Sequence, residues 1–80
     1  MQHYVVILDW AIDDNEGVSV IGVGHTEDEA KEIFNAQLRV EREYVKEHEW
    51  HVFSNSDTCY DAGVEGYYAS DHCHLFIEEV

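Results

Sequence analysis

Basic residues are scarce in this chain of 80 residues, where four lysines and arginines stand against 18 aspartates and glutamates and give a formal net charge of −14. A charge of this sign argues against direct binding to nucleic-acid phosphates and against docking on an anionic membrane, because both surfaces are negative. No apolar run approaches the roughly 20 residues that a membrane-spanning helix needs. The sequence therefore predicts neither a direct nucleic-acid partner nor a membrane partner.

Cysteine is also rare, since Cys59 and Cys73 are the only two. A disulfide scaffold of this size normally contains about four or more. The first residues show no basic segment, no long apolar stretch and no small-residue cleavage site, so they do not resemble a secretory signal. We therefore expect a cytoplasmic protein with two reduced thiols. The alternative is a Cys59–Cys73 disulfide, which would fix the last strand against the segment before it.

Proline is absent, and neither proline nor glycine interrupts residues 26–48. Thr26 and Glu29 have the spacing of a capping box, and three acidic residues in the first turn suit the positive end of the helix dipole. From Ala30 onward, apolar residues recur at steps of three and four, as they do on the buried face of an amphipathic helix. The sequence therefore predicts one long helix over residues 26–48.

Two strands are predicted before this helix. Residues 3–10 alternate, but both of their faces are largely apolar, which is typical of a central strand covered on both sides. Residues 11–17 collect turn-forming side chains, and residues 18–24 then form a second strand. The first two elements should therefore make an antiparallel hairpin with a long acidic loop.

Two further strands are predicted after the helix. Residues 50–53 form a third strand, which residues 54–57 break or bend before 58–60 resume it, and residues 61–66 have the composition of a loop. The fourth strand ends the chain, with Cys73, Leu75 and Ile77 on one face and His72, His74 and Phe76 on the other. We therefore expect a single small α+β domain over residues 1–80. Its four-stranded antiparallel sheet should have one long helix across one face, in the order β-β-α-β-β.

The charges are unevenly distributed along the chain. All four basic residues lie in the predicted helix, whereas eleven of the 18 acids lie outside it with no lysine or arginine among them. Such a surface attracts basic partners, although ordinary solubility is an alternative explanation. The candidate partner-binding acids are Asp13, Asp14, Glu16, Asp57, Asp61, Glu65 and Asp71.

Metal binding is the alternative function, because His72 and His74 would point to the same face of a strand. Their spacing matches no standard zinc finger, and the acidic loops lack the pattern of a calcium-binding loop. A nucleophile–base pair could combine either cysteine with any of six histidines, but nothing in the spacing selects one pair. We therefore expect no cofactor and no enzymatic activity, since so short a chain leaves little room for a substrate pocket.

One helix can cover only one face of the predicted sheet. The segment 54–70 either folds over the second face as a lid or leaves an aromatic patch that would suit a two-fold homodimer. The leading hypothesis is a small non-enzymatic protein-interaction domain that binds a basic protein. Its specific form is a phage or mobile-element protein that binds a nucleic-acid-binding partner by charge mimicry.

Overall fold

The computed structural model describes residues 3–13, 15–64 and 71–80. The elements follow the order β1 (Tyr4–Ile12), β2 (Asn15–Gly24), α1 (Glu27–Glu47), β3 (His51–Asn55), β4 (Cys59–Gly63) and β5 (His72–Glu79). All five strands belong to one antiparallel sheet with the order β2-β1-β5-β4-β3. The helix packs on one face of this sheet, mainly against β2, β1 and β5. The predicted α+β class and single helix are confirmed, but the sheet has five strands rather than four.

The fifth strand comes from the segment that follows the helix. The chain reverses at residues 56–58 in the turn of a hairpin, so the stretch that was expected to be one bent strand is the separate strands β3 and β4. The prediction of a loop beginning at Asp61 was wrong, because Asp61–Gly63 is the second half of β4 and pairs with β5. Gly63 suits this position, since a Cβ there would lie 2.7 Å from the carbonyl oxygen of Asp71.

The first hairpin is also tighter than the sequence indicated. The ladder between β1 and β2 continues to the pair Ile12–Asn15, so most of the predicted loop over residues 11–17 is strand. Asp13 begins the turn with a φ of 50°, a left-handed conformation that aspartate tolerates better than most residues. Glu16 therefore lies in a paired strand and Asp13 in a short turn, rather than both in a long loop.

The helix begins as predicted. Thr26 is the N-cap, and its side chain Oγ1 accepts a hydrogen bond of 3.1 Å from the backbone N–H of Glu29. The carboxylate of Glu29 reaches back to the backbone N–H of His25, at 3.4 Å, one residue before the position that a standard capping box uses. Local side chains thus satisfy one donor of the first turn, the N–H of Glu29, and one donor just before the N-cap, the N–H of His25.

The helix ends in a Schellman motif. The N–H of Trp50 donates to the carbonyl of Val45 at 3.0 Å, and the N–H of Glu49 donates to the carbonyl of Lys46 at 3.3 Å. Glu49 has a φ of 55°, which is the left-handed conformation that this motif requires after the C-cap residue. The chain therefore turns sharply into β3, and the indole of Trp50 lies against the core.

The core lies between α1 and the sheet face that the helix covers. Ala30, Phe34, Leu38 and Val45 are the buried residues of the helix. They pack against buried strand residues, namely Val6, Leu8, Tyr60, Ala62, Cys73 and Leu75. The helix covers one face of β1, and no helix or strand of the described residues supplies the second cover that the sequence predicted.

Candidate functional site

The face of the sheet opposite α1, here called the open face, is the candidate functional site. No helix or strand in ranges 3–13, 15–64 and 71–80 packs over it. The registers between strands place its side chains in rows that run across the sheet from β3 to β2. The segment 54–64 is not a lid, because most of it lies within the sheet, and residues 65–70 lie outside the described residues.

One part of the open face is apolar. Val18, Val20 and Val23 of the edge strand β2 expose 69%, 64% and 52% of their surface. They lie opposite Asp9, Ile7 and Val5 of β1, respectively. Phe76 of β5 lies opposite Ile7 on its other side. Because a row of exposed β-branched residues on an edge strand favours contact with another chain, this part of the face has the character of a docking surface.

A polar row crosses the same face. Ser54 of β3 lies opposite Asp61 of β4, and Asp61 lies opposite His74 of β5. His74 in turn lies opposite Asp9 of β1, so that two carboxylates flank one imidazole. The Oδ1 atom of Asp61 is buried and has no hydrogen-bond partner among the described residues. This row places an unsatisfied acceptor and a histidine side by side in the middle of the sheet.

Cys59 lies beside this row. Its Sγ atom is 3.4 Å from Nε2 of His74, and the hydroxyl of Ser54 donates to the same sulfur at 4.0 Å. Cys59 is half-buried, so its thiol lies near the surface of the open face. The structure therefore selects one cysteine–histidine pair from the many that the sequence allowed.

The second cysteine lies on the opposite face of the sheet. Cys73 is buried in the core, and burial raises the pKa of its thiol to about 12, with smaller contributions from Glu41 and Asp61. Both cysteines are free thiols, as expected, and a Cys59–Cys73 disulfide is not formed. The two thiols therefore differ in exposure, in sheet face and in charge environment.

His72 and His74 share the open face, as the alternation of β5 predicted. His72 Nε2 lies 4.0 Å from Oδ1 of Asp9, and its side chain is 13% exposed. Within the described parts of the chain, however, no group of three or more histidine, cysteine, aspartate or glutamate side chains is arranged to hold a metal ion. The two histidines thus lie next to carboxylates, but the described residues do not place a third ligand where it could bind the same metal ion.

The predicted partner-binding acids lie at three places. Asp13 and Asp71 meet where β1 ends and β5 begins, since the N–H of Asp13 donates to Oδ1 of Asp71 at 3.1 Å. Glu16 lies near them on β2, opposite Ala11. Asp61 lies in the middle of the open face, whereas Asp57 lies in the β3–β4 turn at the other end of the sheet. Asp14 and Glu65 lie outside the described residues.

Neither Asp9 nor Cys59 was among the predicted partner-binding or metal-binding residues, although both lie next to His74 on this face. Asp9 and Cys59 join the site only because β1, β4 and β5 are neighbours in the sheet. The pairing of Cys59 with His74 needed the register of β4, and the loop-like composition of residues 61–66 concealed that strand. The same-face alternation of β5 was the one signal in the sequence that pointed toward His74.

A shallow pocket of about 180 Å³ lies elsewhere, near the start of α1. It is lined by Tyr4, Glu27, Thr58, Ile77 and Glu79. The lining contains two carboxylates but no thiol or imidazole, so it is separate from the Cys59–His74 pair.

No helix in the described residues is both long enough and apolar enough to cross a membrane. Comparison with protein-family models, with curated proteins and with solved structures finds no match to this chain.

Proposed function

We propose that this protein is a non-enzymatic protein-interaction domain whose open face binds a basic segment of a partner protein. The observation that carries the proposal is the combination of exposed valines and carboxylates on a sheet face that the helix leaves uncovered. Apolar contact area would supply affinity, and the carboxylates would select a partner of opposite charge.

The charge of the open face supports a basic partner rather than a second copy of this chain. Its registers place the carboxylates of Asp9, Glu16, Asp61 and Glu78 on this face. All four lysines and arginines lie in α1, on the other side of the sheet. Two copies that met through this face would therefore bring like charges together with no lysine or arginine between them, which opposes a homodimer.

Charge mimicry of nucleic acid is the narrower form of this proposal. Asp57 lies at the opposite end of the sheet from Asp13 and Asp71, so these acids are not one continuous line like the phosphates of a strand. The arrangement favours a partner with a compact basic patch that has apolar residues beside it. The nucleic-acid-binding surfaces of some proteins are patches of this kind.

The test uses an alternating arginine–valine peptide as a probe and its glutamate–valine counterpart as a control. Binding is followed by two-dimensional NMR of the labelled protein at low and high salt. We expect the basic peptide to shift resonances of Ile7, Asp9 and Val20 more than those of exposed α1 residues, and we expect salt to weaken binding.

Two matched variants separate a specific surface from general charge attraction. Val20→Lys adds a positive charge to the open face, and Val40→Lys adds the same charge to the exposed side of α1, where Val40 is 59% exposed. The first variant should weaken peptide binding about tenfold, consistent with the cost of a like charge at an interface, and the second should change it little. Equal effects of both variants would contradict the proposal, as would a stable homodimer formed through the open face in sedimentation experiments.

A further inference from the structure

The two thiols of this chain differ in burial and in the sheet face on which they lie, so their reactivities can be compared within one molecule. Cys59 is half-buried on the open face, whereas Cys73 is buried among core side chains. The Sγ atom of Cys59 lies 3.4 Å from Nε2 of His74, within reach of proton transfer. Cysteine becomes a nucleophile as the thiolate, and a neighbouring imidazole is the group that most often takes the proton.

The groups that face this pair come from each strand around it. Asp61 of β4 and Asp9 of β1 lie on the two sides of His74, and His72 precedes it on the same face of β5. From β3, Ser54 contributes a hydroxyl that donates to the sulfur at 4.0 Å. The buried Oδ1 of Asp61, which has no partner among the described residues, adds an acceptor beside the imidazole. The sheet register thus places carboxylates of two neighbouring strands beside the imidazole that would receive the thiol proton.

We propose that Cys59 and His74 form a site of reversible oxidation by small hydroperoxides. The sulfur passes its proton to Nε2 of His74 and attacks the terminal oxygen of the hydroperoxide. A sulfur–oxygen bond forms as the oxygen–oxygen bond breaks, and the departing oxygen takes the electron pair together with the proton from His74. Cys59 is oxidised by two electrons to a sulfenic acid, and the hydroperoxide is reduced to an alcohol, or to water when it is hydrogen peroxide.

The open face suits a small oxidant of this kind. Cys59 is half-buried on a sheet face that no described helix or strand covers, so the described residues leave a small oxidant a path to its sulfur. A hydroperoxide needs only an approach to the sulfur and one proton for the leaving oxygen, and His74 supplies that proton.

The sulfenic acid has no partner thiol within reach in this chain. The side chain of Cys73 lies on the sheet face that the helix covers, whereas that of Cys59 lies on the open face. An intrachain disulfide would therefore require the sheet to open. Reduction must therefore come from an external thiol of low molecular weight or from another protein. This inference stands apart from the binding function proposed above, because the reaction needs no partner protein.

The experiment exposes the protein to hydrogen peroxide and traps sulfenic acid with dimedone, and mass spectrometry then locates the adduct. The folded protein and the urea-unfolded chain are compared at the same pH, so that Cys59 serves as its own reference. We expect Cys59 to react about tenfold faster in the folded protein than in urea, and Cys73 to be protected by folding. A Cys59 rate in the folded protein equal to or below the rate in urea would overturn the proposal.

Two histidine variants test the role of His74 as a positioning residue and proton acceptor. His74→Asn should lower the rate at Cys59 about tenfold at neutral pH, and the remaining rate should rise with pH as the thiolate fraction of an unassisted thiol does. His51→Asn changes an exposed histidine of β3 that does not contact the sulfur, and it should leave the rate unchanged. Circular dichroism shows whether each variant folds. Unchanged rates and an unchanged pH profile in folded His74→Asn would refute the pairing.

Discussion

Truncation of Phe34 is the most direct test of the packing between α1 and the sheet. Among the described residues, Phe34 is the largest side chain with no exposed surface, and it lies on the helical face formed with Ala30, Leu38 and Val45. Removal of a buried phenylalanine ring costs about 3–5 kcal/mol, because transfer energy is lost and a cavity remains. A chain of 80 residues has a total unfolding free energy of about 4–12 kcal/mol, so Phe34→Ala should bring the protein close to unfolding.

Urea denaturation followed by circular dichroism measures this loss as a shift in the midpoint. Phe34→Leu should cost less than the alanine variant, since most of the volume stays filled. Val40→Ala, on the exposed side of the same helix, should change the free energy by less than about 0.5 kcal/mol. A loss below about 1 kcal/mol in Phe34→Ala would show that α1 does not pack on the sheet as described.

Three further predictions concern the helix cap, the buried thiol of Cys73 and the half-buried carboxyl group of Glu41. Thr26→Ala should cost about 1 kcal/mol in urea denaturation, because it removes the bond to the N–H of Glu29; an unchanged midpoint would contradict this cap. Burial raises the pKa of Cys73 from 9.0 to about 12, so the unfolding free energy should fall as pH rises between these values. Cys73→Ala should reduce this dependence of the unfolding free energy on pH by at most about 1.4 kcal/mol per pH unit, as measured by urea denaturation. An unaltered pH dependence would contradict the raised pKa of Cys73. Burial also raises the pKa of Glu41, so its ionisation destabilises the folded state above its ordinary pKa of 4.5. Glu41→Gln should therefore raise Tm near pH 7 but not at pH values below 4.5, and an equal effect at both would contradict the assignment.

The helix was predictable because its signals are local. Thr26 and Glu29 mark its start within a few residues, and the spacing of Ala30, Phe34 and Leu38 identifies its buried face without any knowledge of the sheet. The faces of β5 followed for the same reason, since alternation along one strand needs no partner.

The strand β4 and the Cys59–His74 pair were not predictable in this way. Asp61–Gly63 has the composition of a turn, and it is held as a strand by pairing with β5, whose paired residues lie 9 to 13 positions later in the chain. The contact between Cys59 and His74 depends on that register, which single-sequence patterns do not specify. An uncovered second face was one of the two alternatives that the sequence left open, but its rows of valines and carboxylates depend on the registers between strands.

The confinement of all lysines and arginines to α1 has a consequence for proteolysis. Trypsin cleaves after these residues, so each of its four sites, at Lys31, Arg39, Arg42 and Lys46, lies in the helix. Resistance to trypsin therefore reports the integrity of α1 alone. Cleavage there would separate the hairpin of β1 and β2 from the strands that follow the helix, although β1 and β5 are paired at the centre of the sheet. The helix is thus a natural position at which to divide this chain for fragment complementation.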